Sequence, residues 1–454
     1  MQHSRHMLVL VSAWLILPDP ARAADDYELE PVLAATTLVQ PALLSGPGFE
    51  VDPHVEIRGY MARFTMDTAV GRIEAESMEM LAIRVSEIPA MQALDRQGHV
   101  DSFAHAASER AMDKGEQFSR LIRHPLQTLK EIPAGVARYF GKRLRKVGKQ
   151  AQSLSDHVAR ELGTRGESWP RSDGPMTSAR DIDRQEARRS GNGHDSWLDD
   201  LGAEGEREVK RRIDYRKARR DLAENLGIDP YTSNPQLSER LDELAWSGSA
   251  GRMTTDLALA SMDGSAGLLL ARSDQLNDLV WKLDEDQLRT ITLQRLERFA
   301  RDEFLMRQFM RRGVFTPSLK ASMLDALERL QPAAGGDALL ELAMTARSEL
   351  EARYIVNALR LLATRLGNNA HGGELLIVGA GLGYLGHSGD VVLPLPVDYL
   401  AWTHEVATFL DNEEFRSARK SVLIQGNASP RSLRELTSRG WNIVVDSSAL
   451  VAAE

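Results

Sequence analysis

The amino-acid sequence predicts an α+β protein that is predominantly α-helical, with a small N-terminal β patch, a helical bundle and a C-terminal α/β module. Three patterns carry this expectation. Apolar residues alternate near the N-terminus, recur at helical spacing through the middle, and form short β-branched runs around a single helix near the end.

The alternation runs through Phe49, Val51, Pro53, Val55 and Ile57, and period two is the pattern of a half-buried strand. Two further strands, about 59–66 and 72–75, flank the short connection Asp67–Gly71, so a hairpin or three-stranded patch is expected. The preceding stretch, Asp25 to Pro47, carries Pro31, Pro41 and Pro47 with little pattern and reads as an extended arm. After Ser77 the period changes. Met78, Leu81, Ala82, Val85 and Ile88 follow a serine able to cap the first turn, which predicts a helix to about Leu94.

Residues 102–155 look helical but are broken at Pro125 and Pro133, because proline lacks an amide donor and disfavours helix in the residue before it. The stretch 163–205 is rich in glycine and charge and poor in large apolar residues. It cannot bury enough surface to offset its ordering entropy, so a flexible linker is expected. Helical spacing returns from 206 to 367, where Asn234-Pro235 and Thr316-Pro317 are cap-plus-proline helix starts. One long segment, about 285–312, precedes helices at about 318–330, 337–345 and 348–366. Short connections favour antiparallel neighbours, hence a bundle.

In the last eighty residues, 375–378, 391–395 and 397–402 read as strands. Two more, 421–425 and 441–445, enclose a helix opening at Ser429-Pro430, the pattern of a parallel βαβ unit. A sheet shared with the N-terminal strands is one arrangement open to this module. The organisation expected is therefore a signal peptide (1–23), an N-terminal strand patch and helical region with a basic helix (24–162), the linker (163–205), the bundle (206–367) and the α/β module (368–454).

Export is expected from the first residues, where Arg5 precedes an apolar run from Met7 to Leu17 and the small-residue motif Ala21-Arg22-Ala23. That run is shorter than the roughly 20 residues a bilayer core requires, so cleavage after Ala23 leaves no transmembrane segment in this reading. The expected location is a periplasm or the exterior. With no cysteine, disulfides, thiolate metal sites and a lipid-modified cysteine are excluded. A chain of 454 residues can bury an adequate core without them. Its formal charge of −9 argues against a nucleic-acid binder, which is normally basic.

Four local patterns suggest chemistry. Gly381-Leu382-Gly383-Tyr384-Leu385-Gly386 has the spacing of a dinucleotide fingerprint, yet the strand pattern and Pro394 and Pro396 that follow leave no helix to hold a pyrophosphate. No cofactor is expected. The turn Gly426-Asn427-Ala428-Ser429-Pro430, with Arg431 beside it, suits an anion better: strand, turn and capped helix leave amides at a helix N-terminus, making Gly426, Ser429 and Arg431 candidates. His371, His387 and His404 lie near Asp390, Asp398 and Glu405, the material of acid–base catalysis, with His387, Asp390 and His404 as candidate catalytic residues. No pair has metal-ligand spacing, so no metal is expected, and no Gly-x-Ser-x-Gly elbow occurs.

The fourth pattern is electrostatic. Between Arg110 and Lys149 eleven basic residues face three acids, a charge of +8 in an acidic chain. In its tightest part Val136, Tyr139, Phe140, Leu144 and Val147 are interleaved with Arg138, Lys142, Arg143, Arg145, Lys146 and Lys149. At helical spacing this sets an apolar stripe beside a basic face, the form of an interfacial helix on anionic lipid or of a docking helix for an acidic partner. The ordinary alternative is a core helix whose cations stay solvated. The expected function is thus an exported, non-catalytic interaction protein of the cell envelope or exterior that binds a protein or an anionic lipid surface. The alternatives are a hydrolase centred on His387, Asp390 and His404, and a secreted effector or toxin-like membrane-active protein.

Overall fold

The structure, a computed structural model, describes residues 27–97, 215–246, 279–378, 381–412, 415 and 419–445. The signal peptide, the basic helix 136–149 and the linker 163–205 expected from the sequence lie outside them. Helix accounts for about 50% of the well-defined regions and strand for 21%, so the fold is mixed α and β.

The N-terminal unit is an antiparallel sheet of β1 (Val32–Ala34), β2 (Ser45–Gly46), β3 (Phe49–Val51), β4 (His54–Arg58), β5 (Met61–Thr68) and β6 (Gly71–Ala75). Its order is β1-β4-β5-β3-β2, with β6 also on β5. Six strands replace the three expected, for two reasons. First, the alternating run 49–57 is interrupted, because Pro53 has no amide to give a ladder and Asp52 Oδ1, at the surface, accepts the His54 amide at 2.8 Å. The freed Pro53 carbonyl accepts the Ala35 amide instead. Second, the apparent arm folds: β1 and β2 flank two short 3₁₀ turns that bury Leu38, Val39 and Leu43.

Helix α1 (Met78–Gln97) begins where Ser77 Oγ accepts the Met80 amide at 3.0 Å, as the serine cap predicted. It packs on the sheet together with α2 (residues 215–225) and α3 (Pro235–Trp246), in a core that joins Leu81, Val85 and Ile88 to Leu222, Leu226 and Leu237.

The second unit contains α4 (Leu279–Lys282), α5 (Glu285–Leu296), α6 (Glu303–Met310), α7 (Pro317–Leu330), α8 (Gly336–Met344) and α9 (Glu349–Leu366). The single helix expected over 285–312 is two. Asp302 caps the second by accepting the Leu305 amide at 2.9 Å. Asp337 accepts the Arg301 and Asp302 amides at 2.8 and 3.1 Å, and Gly336 presses so closely on the Phe299 carbonyl that a Cβ would collide with it. A chain crossing 35 residues away therefore sets the break, and no local signal announces it.

The C-terminal sheet holds β7 (Glu374–Val378), β8 (Gly381–Leu385), β9 (Val391–Leu395), β11 (Lys420–Ile424) and β13 (Asn442–Val445), in the order β13-β11-β9-β8-β7. The first two pairings in that order are parallel and the last two antiparallel. The glycine-spaced stretch Gly381–Leu385 is itself a strand, β8, paired with β7 and β9. The strand expected over 397–402 shrinks to β10 (Tyr399–Leu400), paired only with β12 (Asn427–Ala428). Helices α10 (His404–Leu410) and α11 (Pro430–Ser438) complete the module.

The two sheets are separate rather than shared. One hydrophobic cluster runs from Phe309, Leu327 and Leu359 to Leu393, Trp402 and Ile424, and so crosses position 367. Tyr60 and Met61 of the N-terminal unit also enter it. Among the described residues no helix is long and apolar enough to cross a membrane.

Candidate functional site

Of the histidines singled out in the sequence, His371 and His387 meet, whereas His404 stands apart from them. His387 lies exposed in the hairpin before β9, its Nε2 3.0 Å from the His371 carbonyl oxygen. Asp390 closes that hairpin, taking the Ser388 hydroxyl at 2.7 Å and pairing with Arg419 Nε at 2.7 Å. His404 opens α10 beyond the far end of β9 and stands edge-on to Tyr27, ring centres 5.1 Å apart. A strand advances about 3.3 Å per residue, so the length of β9 separates the His387–Asp390 hairpin from His404. Among the described residues no group of three or more His, Asp or Glu could hold a metal ion.

The turn before α11 has the predicted geometry and an intramolecular occupant. Ser429 caps the helix by accepting the Ser432 amide at 2.9 Å. Its hydroxyl also bonds the Glu28 carboxylate, which in turn accepts the Trp402 amide at 2.7 Å. Gly426 lies so near the Asp398 carbonyl that no Cβ fits, and its amide bonds the Val397 carbonyl at 2.9 Å. A carboxylate of the chain itself thus sits beside Ser429. The basic candidates Arg138, Lys142, Arg143, Arg145, Lys146 and Lys149 are outside the described residues.

A polar cleft that the sequence reading did not find lies where α1, the 228–233 loop, α7 and α9 meet, between the N-terminal and helical units. It encloses about 50 Å³. Its floor is an ionic network. Arg84 pairs with Glu87 at 3.0 Å on α1 and donates to Ser233 Oγ at 2.8 Å. Glu87 accepts further hydrogen bonds from Thr232 and, at 2.9 Å, from Asn234. From α9, Arg353 pairs with Glu349 at 2.7 Å and reaches Glu79 of α1 at 3.3 Å. Asn357 donates to Glu79 at 2.7 Å and accepts from Arg360 at 3.3 Å.

Burial is the largest influence on the Glu349 carboxyl and would raise it, but the Arg353 and Arg84 charges and the hydrogen bonds from Ser233 and Arg353 together hold it below the usual range. Asp229, on the loop, accepts the Ser318 hydroxyl at 2.7 Å and the Tyr231 amide at 2.8 Å. There burial prevails and pushes its carboxyl upward. Asp229 lines the cleft and Glu349 pairs with its Arg353, so titratable groups driven in opposite directions lie in and beside one cleft at a unit boundary, where binding sites concentrate.

The lining comes from four segments, 79–87, 228–233, 318–322 and 353–360, so no local motif marks it. One signal was available: Glu349, Arg353, Asn357 and Arg360 recur at spacings of four, four and three, a polar stripe along a helix whose other positions are largely apolar. Comparison with protein-family models, with characterised proteins and with solved structures finds no match for this chain.

Proposed function

We propose that this chain is an exported, non-catalytic interaction protein: a helical body flanked by an N-terminal sheet and a C-terminal α/β module, which engages an anionic membrane surface through the segment Arg110–Lys149. The observation that carries the reading is charge polarity. The whole chain bears −9 and this segment +8, so the remainder bears −17. Such a molecule is oriented by an anionic surface, which attracts one stretch and repels the rest. The helices that precede and follow the segment in sequence share one core, since Met91 and Leu94 of α1 pack in the same cluster as Leu222 of α2 and the neighbouring Leu226. Export rests on the layout of residues 1–23, with the mature chain beginning Ala24-Asp25-Asp26.

Each cation near an anionic bilayer contributes about 1 kcal/mol, so six of them from Arg138 to Lys149 give measurable binding that salt screens. Mature protein should co-sediment with anionic but not neutral vesicles, release at high salt, and lose binding when Lys142, Arg143, Arg145 and Lys146 are all changed to Ala. Equal sedimentation of both proteins, or of neither, refutes the reading. Binding instead to an acidic protein, with no vesicle binding, would move the function to a protein partner.

A further inference from the structure

We infer that the cleft between α1, the 228–233 loop, α7 and α9 binds a small oxyanion, the carboxylate or phosphate end of a compact ligand, with Arg360 gripping it at the mouth. This site is independent of the basic segment.

Size comes first. A cavity needs about 10–15 Å³ of this kind of space for each water, so about 50 Å³ admits a few such positions. That suits a carboxylate or phosphate group and is too small for a nucleotide. Chemistry decides the rest. Each guanidinium carries five N–H donors and no acceptor. Arg84 and Arg353 are aimed by the carboxylates they pair with, whereas Arg360 uses only Nη1, towards Asn357 at 3.3 Å and Glu79 at 3.8 Å. Its Nε and Nη2 donors have no hydrogen-bond partner among the described residues, and its side chain is 23% exposed at the rim.

The acids do not cancel this surplus of donors. Both oxygens of Glu87 and both of Glu79 accept bonds from the network, so they orient arginine and asparagine side chains rather than face the open space. Asp229 uses one oxygen for Ser318 and Tyr231. Burial raises this carboxyl above the ordinary range. What Arg360 offers a guest is therefore N–H alone, from Nε and Nη2, and a planar guanidinium fork matches carboxylate and phosphate oxygens.

The test is calorimetric titration of the mature protein with inorganic phosphate, sulfate and acetate at ionic strength matched with sodium chloride, paralleled by thermal melts. Wild type should bind at least one of these anions saturably, one per chain. Acetate binding assigns a carboxylate ligand and phosphate binding a phosphorylated one. Arg360→Gln should bind at least ten-fold more weakly, and its melt in chloride should stay near that of wild type, because Arg360 bonds only Asn357 and Glu79. Arg360→Lys, which keeps the charge without the fork, should fall between and serves if Arg360→Gln does not fold. The variant with Lys142, Arg143, Arg145 and Lys146 changed to Ala should retain full affinity. No saturable binding to wild type, equal affinity in Arg360→Gln, or loss of affinity only in the basic-segment variant overturns the inference.

Discussion

The hydroxyl of Tyr60 lies 2.6 Å from Oγ1 of Thr403, a hydrogen bond between residues 343 positions apart. Tyr60 sits at the β4–β5 turn with a positive φ of 66°, its amide held by the Glu30 carboxylate at 2.6 Å. Its carbonyl accepts the amides of Asp398 and Tyr399 at 3.0 and 3.1 Å, and its ring is buried in the larger core. A residue of the N-terminal sheet is thus the plug that joins it to the C-terminal module. Tyr60→Phe should cost about 0.5–1.5 kcal/mol, the usual net value of one hydrogen bond, and Tyr60→Ala about 3–5 kcal/mol through loss of the buried ring. Urea unfolding measures both; equal costs would mean that the ring contributes nothing beyond its hydroxyl.

Asp398 makes the same junction sensitive to pH. Its Oδ2 accepts the Ala62 amide at 2.9 Å and the Met78 amide at 3.0 Å, tying β5 and the start of α1 to the C-terminal module. Burial pushes this carboxyl up to about 7, against the pull of those two amides, with Glu79 adding a smaller push upward. Between about pH 4 and 7 the folded chain therefore holds a proton that the unfolded chain has released. Stability from this group is complete below about pH 4 and falls as pH rises to 7, by about 1.4 kcal/mol per pH unit at most. Asp398→Asn keeps an acceptor and removes the titration, so its unfolding free energy should lack this slope. An unchanged slope would assign the titration to another group.

Lys320 should act in a neighbouring pH window with the opposite sign. It is 3% exposed, its Nζ donates to the Met310 carbonyl at 2.9 Å, and burial pushes it down to about 7. Between about pH 7 and the ordinary lysine value near 10.4 the unfolded chain holds the extra proton, so stability rises with pH there. Lys320→Met should abolish the rise. Denaturant midpoints measured at pH 7 and 9.5 would be separated in wild type and coincide in the variant; a separation that persists would assign the rise to another group.

Glu28 should anchor the chain's N-terminal residues to the module that ends it. Its carboxylate holds the Trp402 amide and the Ser429 hydroxyl, and its own amide donates to the Trp402 carbonyl at 2.8 Å. Glu28→Ala leaves two donors without this acceptor, at about 1–3 kcal/mol. Hydrogen exchange should accelerate at the Trp402 amide more than at amides within β9. Uniform protection in the variant would mean that the arm is held by its strand pairing alone.

The sequence by itself determined those elements whose information is local. The serine cap before α1, the proline starts of α3 and α7, and the βαβ pattern of β11, α11 and β13 were all legible, because caps, proline and periodicity act within one or two turns of chain. Only the tertiary structure decided where periodic segments end and which side chains meet. The break between α5 and α6 depends on Asp337 and Gly336; the folding of the arm depends on a core it does not encode alone; and Glu28 beside Ser429 fills a turn that residues 426–431 present as an open anion site. The cleft was illegible for the same reason. Arg353 and Arg360 of α9 reach Glu79 of α1, and an ion pair between Arg353 and Glu79, 274 positions apart, leaves no trace in the spacing of either segment. Pairing across such distances is fixed by packing of the completed core, which supplies the burial that makes those charges choose each other.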